Sequence, residues 1–323
     1  AALASELKKV FVRPGQHAII DDLVTMLARR DSNHAELKRF KEQLRALVTD
    51  TGDANNVDAL EAAVVTVPDD DYEKLFDALA DNESSDDDSE GGAVAFNPFK
   101  RLWDGAKGAL RVTTYWQMKN RAGAVGRNGL GPLIGQLQAA VPSIRVHLLG
   151  HSFGARVVSY SLTGLPATAT GAASPVKSLF LLQGAFSHFA FANSLPFDTS
   201  RKGDLAGMAA RVDGPLLTTH SLKDSAVGTA YPAASIASGQ DASDASDTFF
   251  RWGAMGHDGA QSVNAVNAVL GLPGTSYPFS AGKWVNLDGN GVIVNGGPPS
   301  GAHSDIVHPH TAWAALSAAT LVK

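Results

Sequence analysis

The sequence predicts an α/β fold, a three-layer α/β/α sandwich on a mostly parallel sheet with a helical region in front of it. Three observations carry that prediction. From residue 145 onward, short apolar runs alternate with helix-period segments, the order that parallel strands with crossover helices require. Before residue 81 the apolar spacing reads as helical. The chain has 323 residues, 44% of them hydrophobic, enough for one large core or two smaller ones.

In the first part, Ile20, Leu23, Val24 and Leu27 fall on one helix face. Asp21 and Asp22 open that segment and Arg29 and Arg30 close it, matching the helix dipole. Leu37, Phe40, Leu44 and Leu47 mark a second helix, and Tyr72, Leu75, Phe76 and Leu79 a third. Residues 81–92, DNESSDDDSEGG, have nothing to bury and read as a solvated loop. Residues 1–97 are therefore expected to form a helical N-terminal or inserted region, and 98–323 the α/β core.

Within the core, helices are expected at 102–125 and 132–141, the second broken by Pro142. RVHLLG (145–150) reads as a strand, and Phe153 to Leu162 as a helix stopped by Gly164 and Pro166. Further strands are expected at 178–182 and 215–220, with helices near 229–238 and over 258–270, the latter capped by Asp258. Residues 283–287 and 291–295 flank Asp288-Gly289-Asn290, a hairpin signal. The last helix is expected near 308–322.

Composition removes several function classes. A net charge of −5 argues against non-specific nucleic-acid binding. With no cysteine there is no disulfide, thiolate metal site or cysteine nucleophile. No apolar run is long enough to span a bilayer, and the start carries no secretory signal pattern, so a cytoplasmic protein is expected.

The chemistry points to one junction. Gly150-His151-Ser152-Phe153-Gly154 matches G-x-S-x-G and sits where a strand turns into a helix. Such a turn crowds the backbone around the serine, glycines relieve the crowding, and Oγ is left exposed above the sheet edge. The helix N-terminus adds N–H groups and positive potential where an oxyanion would form.

The segment VHLLGHSFGARVV, within a region of roughly 110–323, resembles the α/β-hydrolase superfamily, in particular bacterial esterase- and lipase-like members. The resemblance implies a Ser-His-Asp triad in the chain order serine, acid, histidine, with no cofactor. Ser152 is then the nucleophile. Asp224, in the turn after strand 215–220, is the matching acid, since Gln183-Gly184-Ala185 after the earlier strand offers no carboxylate. His303, before the final helix, is the matching base, with His308 and His310 as alternatives a few residues on. The Phe153 backbone N–H is the expected oxyanion donor.

His151, Phe186, Phe189 and Phe191 are expected to line a substrate pocket, the phenylalanines within a cap-like segment at 184–213. Ordinary packing is the equal alternative for that segment. His303, Asp305, His308 and His310 lack the i, i+4 spacing of a helical metal site, and no metal is expected. A second oxyanion donor normally follows an earlier strand. AAVVTV (62–67) and GAVAF (92–96) are the only weak candidates, so the early strands are expected upstream of Ala1 or in a modified form. The function expected is hydrolysis of a small-molecule or lipid acyl ester through an acyl-enzyme. An acyltransferase on the same triad and a non-catalytic scaffold are the rivals.

Overall fold

A computed structural model describes residues 2–49, 69–80, 98–228, 253–297 and 300–320. They fall into two compact units, parting between Met118 and Lys119. No helix among the described residues is long and apolar enough to cross a membrane. The expected helix near 229–238, the acidic run 81–92 and the strand candidates 62–67 and 92–96 lie outside the described residues.

The first unit is helical. It holds α1 (Ala2–Val10), α2 (Pro14–Arg29), α3 (His34–Thr49), α4 (Tyr72–Ala80) and the start of α5 (Pro98–Val125). The periodic residues meet in one core: Ile20, Leu23, Leu37, Phe40, Leu44, Leu47, Leu75 and Phe76 are all buried. Trp103 of α5 closes that core, its ring edge-on to Phe40 and its Nε1–H donated to Asp31 O at 2.9 Å. Helix α2 begins at Pro14, seven residues before the acids expected to open it. Proline suits a first helical position because its missing N–H has no partner there anyway.

The second unit is α/β. Its sheet has five strands, all parallel, in the order β1 (Val146–His151), β2 (Val176–Leu182), β3 (Leu216–His220), β5 (Trp284–Asp288) and β4 (Val266–Val269). The inner strands are buried almost throughout, as a parallel sheet covered on both faces demands. Helices α6 (Gly131–Ala140), α7 (Phe153–Ser161), α8 (Ser225–Gly228), α9 (Met255–Asp258) and α10 (Pro309–Ala318) connect or cover them. Among the described residues no strand precedes β1.

Two expectations fail, both for long-range reasons. Residues 258–270 are not one helix: α9 ends at Asp258, and Gly259, Ser262 and Asn264 all take positive φ, which no α-helix accommodates. The valines beyond them extend into β4 and pair with β5. Nor do residues 283–295 form a hairpin. Both edges of β5 are already bonded, to β3 and β4, so no edge is open for a returning strand. Asp288 Oδ1 instead accepts from Asn290 N at 2.8 Å, a local side-chain turn.

The end of α5, the π-helical turn Gly126–Leu130 and α6 pack on α7. A Cβ on Gly126 would stand 2.2 Å from Val157 O, so only glycine permits this approach. Between α5 and α7 lies a buried polar set. Tyr160 donates to Asp204 Oδ2 at 3.0 Å, and the Arg156 guanidinium stands 4.2 Å from the Tyr160 ring centre. Lys119 is buried beside them, and burial, with the Arg156 charge adding, holds its ammonium well below the ordinary lysine value of 10.5, although Asp204 opposes. Between the depressed value and 10.5 the unfolded chain keeps a proton that the folded chain has lost. This lysine therefore makes stability rise with pH across that window. Denaturant unfolding across pH checks this: Lys119→Met is expected to lose that rise and to match or exceed the parent near neutrality.

Candidate active site

Register builds the site. Gly150 pairs with Leu181, and Leu181 with Thr218, so β1, β2 and β3 end together along the carboxyl edge of the sheet. The residues that leave that edge are Ser152, Gln183 and, through a short loop, Asp224. This is where open parallel sheets gather ligands and catalytic groups.

Ser152 sits at φ 57°, ψ −124°, between β1 and α7. A non-glycine residue in such a region costs about 1–3 kcal/mol and persists only where its surroundings over-determine it. Here Ser152 N donates to Leu182 O at 3.1 Å, while Ser152 O accepts from Ala155 N at 3.1 Å and Ala185 N at 3.3 Å. The two glycines of the motif differ in role. A Cβ on Gly150 would lie 2.4 Å from Gly154 O, whereas one on Gly154 would meet nothing within 4 Å. Gly150 is thus the residue that the turn requires.

His303 reaches both partners. Its Nδ1 lies 2.8 Å from Asp224 Oδ2, and its Nε2 lies 2.8 Å from Ser152 Oγ. The carboxylate only accepts, so Nδ1 carries the proton and the Nε2 lone pair faces the serine hydroxyl. The loops bearing Asp224 and His303 are tied together: Ala302 N donates to Lys223 O at 2.9 Å, and Ala226 N to Ser300 O at 3.2 Å. His303 keeps a side-chain exposure of 12%, while Asp224 is fully buried.

A buried carboxylate needs donors in place of water. Asp224 has three: His303 Nδ1, Gln183 Nε2 at 2.8 Å, and Val227 N at 3.3 Å. Gln183 is the residue that sequence reasoning missed. In the sequence, position 183 stands out only as a place after strand 178–182 that lacks a carboxylate. No local signal marks it, because its partners Asp224 and Gly256 lie 41 and 73 residues away.

His151 is turned onto His303. Its Nε2–H donates to the His303 carbonyl at 2.8 Å, and the two rings lie 4.8 Å apart. Burial lowers the His151 pKa, and the backbone hydrogen bond to His303 opposes that. Phe153 opens α7, so its N–H stands at the positive end of the helix dipole. The three phenylalanines are all buried in packing. Phe186 sits in one core cluster with Ala155 and Met255. Phe191 meets Trp284 edge-on at 4.8 Å, and Phe189 meets Phe197 at 5.7 Å.

Of the two alternatives to His303, His308 is engaged elsewhere. His308 Nε2 lies 2.9 Å from Asp305 Oδ1. Asp305 Oδ2 accepts from Val294 N at 2.9 Å and Asn295 N at 2.8 Å, which braces the loop carrying His303. Burial raises the Asp305 pKa, but these backbone donors and His308 outweigh it and bring it below the ordinary carboxylate value. His310 lies in the first turn of α10. Among the described residues no group of three His, Asp or Glu side chains is arranged to hold a metal ion. His188 is fully buried and lies 3.1 Å from Asp258. His220, at the end of β3, has its pKa lowered by burial, with Asp288 and Asp258 opposing and His257 adding.

Comparisons of the chain with protein families, with curated proteins and with solved structures found no match.

Proposed function

We propose that the chain is a serine hydrolase of the α/β-hydrolase type, cleaving a carboxylic ester through an acyl-enzyme. The observation that carries the reading is the unbroken relay from Ser152 Oγ through His303 to Asp224, with both hydrogen bonds at 2.8 Å, on a strained strand-to-helix turn. Composition alone does not bring three residues 72, 79 and 151 positions apart into that order.

In this mechanism His303 Nε2 takes the Ser152 proton as Oγ attacks the ester carbonyl. Asp224 holds the imidazole in the tautomer that presents that lone pair, and it stabilises the imidazolium that forms. The Phe153 N–H, at the head of α7, is positioned for the negative oxygen of the tetrahedral intermediate. His303 then returns its proton to the leaving alcohol, and water releases the acyl group by the reverse sequence.

Pre-steady-state hydrolysis of p-nitrophenyl acetate tests the proposal. The expected result is a burst of about one p-nitrophenolate per protein molecule, followed by slower turnover, the mark of an accumulating acyl-enzyme. A linear trace at the uncatalysed rate from folded protein would contradict it.

A further inference from the structure

We infer that Gln183 is a positioning residue for the Asp224–His303 pair, an inference that rests on the hydrolase reading of the site. Gln183 is fully buried and takes φ 45°, a left-handed conformation that a glutamine adopts only where its surroundings impose it. Its amide is completely engaged. One Nε2–H is donated to Asp224 Oδ2 at 2.8 Å and the other to Gly256 O at 2.9 Å. Its Oε1 accepts from Thr219 Oγ1 at 2.9 Å, and its backbone N–H is donated to that same Thr219 oxygen at 3.1 Å. Two acceptor-only oxygens face the nitrogen, so the amide has one possible orientation.

The carboxylate oxygen that Gln183 holds is the one that receives His303 Nδ1–H. Fixing Oδ2 therefore fixes the direction from which the imidazole is held. The other end of the clasp is equally specific. Gly256 O also accepts Ser221 N–H at 3.0 Å, and the strip after Gln183 runs along the segment containing Gly256. In that strip Gly256 N donates to Gly184 O at 3.0 Å, Met255 N to Phe186 O at 3.0 Å, and His188 N to Gly253 O at 3.1 Å. Asp224 precedes residues 229–252 and Gly256 follows them, so one side chain joins the two flanks of that stretch at the triad. Thr219, on β3, ties the same amide to the sheet. A side chain needed only for packing would not require two donors aimed at two separate acceptors.

The test uses Gln183→Met, which keeps the length and removes both donors, and Gln183→Glu, which keeps the shape. Gln183→Met is expected to lower kcat for p-nitrophenyl acetate about 10–100-fold, the loss of a hydrogen bond to a charged group, with KM within about twofold. Gln183→Glu sets a carboxylate against Asp224 Oδ2 and Gly256 O. Its rate is expected to fall as pH rises and the new group ionises, a limb absent from the parent. Independently of turnover, the downfield proton resonance of His303 Nδ1, assigned by its loss in His303→Ala, is expected to move or broaden in both variants.

If the parent turns over and both variants keep its kcat, its pH profile and that resonance, the inference is overturned while the hydrolase reading stands. If the parent is inactive but the resonance is present and responds to both variants, the positioning role is supported and the hydrolase reading fails. A fall in thermal stability with kcat, pH profile and resonance unchanged would show a merely structural glutamine and would also overturn the inference.

Discussion

Replacing Ser152 with alanine is expected to remove the p-nitrophenolate burst and to lower turnover about 10⁶-fold, to whatever binding and the remaining groups supply. The hydroxyl has no substitute, since His303 Nε2 is directed at Ser152 Oγ at 2.8 Å. The fold is expected to survive. The backbone bonds that hold residue 152 involve its N–H and carbonyl, which alanine retains. Thermal unfolding of Ser152→Ala beside the kinetics separates loss of chemistry from loss of structure. A variant with parental turnover would remove Ser152 from the mechanism.

Asp224→Asn is expected to lower kcat about 10⁴-fold. The reason lies in the neighbours of Asp224. Its carboxylate accepts from three donors: His303 Nδ1 and Gln183 Nε2 on Oδ2, and Val227 N on Oδ1. An asparagine must turn its NH₂ toward one side or the other. Turned toward His303, it forces the imidazole into the tautomer whose Nε2 carries a proton and cannot act as a base. Turned toward Val227, it sets donor against donor in a fully buried place. A stability loss of about 1–3 kcal/mol accompanies either arrangement. Steady-state kinetics and denaturant unfolding of the same variant measure both effects, and a kcat within tenfold of the parent would contradict the assigned role.

Legibility from sequence followed the range of the interactions involved. The amphipathic spacing of Ile20 and Leu23, or of Leu37 and Phe40, is a local signal, and these residues are buried as that spacing requires. The junction at Ser152 is also local, a strand, a glycine-flanked serine and a helix in succession. The segment 258–270 was misleading because Val263, Val266 and Val269 repeat every three residues, near a helical period. Positive φ at Ser262 and Asn264, and pairing to β5, decided otherwise. The hairpin signal at Asp288-Gly289-Asn290 was a sound local reading. It is overruled by β3 and β4, which occupy both edges of β5 from 68 and 19 residues earlier in the chain. Gln183 escaped because its meaning depends on Asp224, 41 residues away, and Gly256, 73 away. No local pattern marks a glutamine whose two amide hydrogens serve two distant acceptors.

Labelling with a fluorophosphonate probe, followed by peptide mapping of the adduct, tests the central claim most directly. Such a probe reacts with a serine only where a base and an oxyanion site activate it. The account predicts a single adduct on Ser152, lost in His303→Ala and slowed in Asp224→Asn. A folded parent that remains unlabelled, or an adduct on another residue that survives His303→Ala, would contradict it.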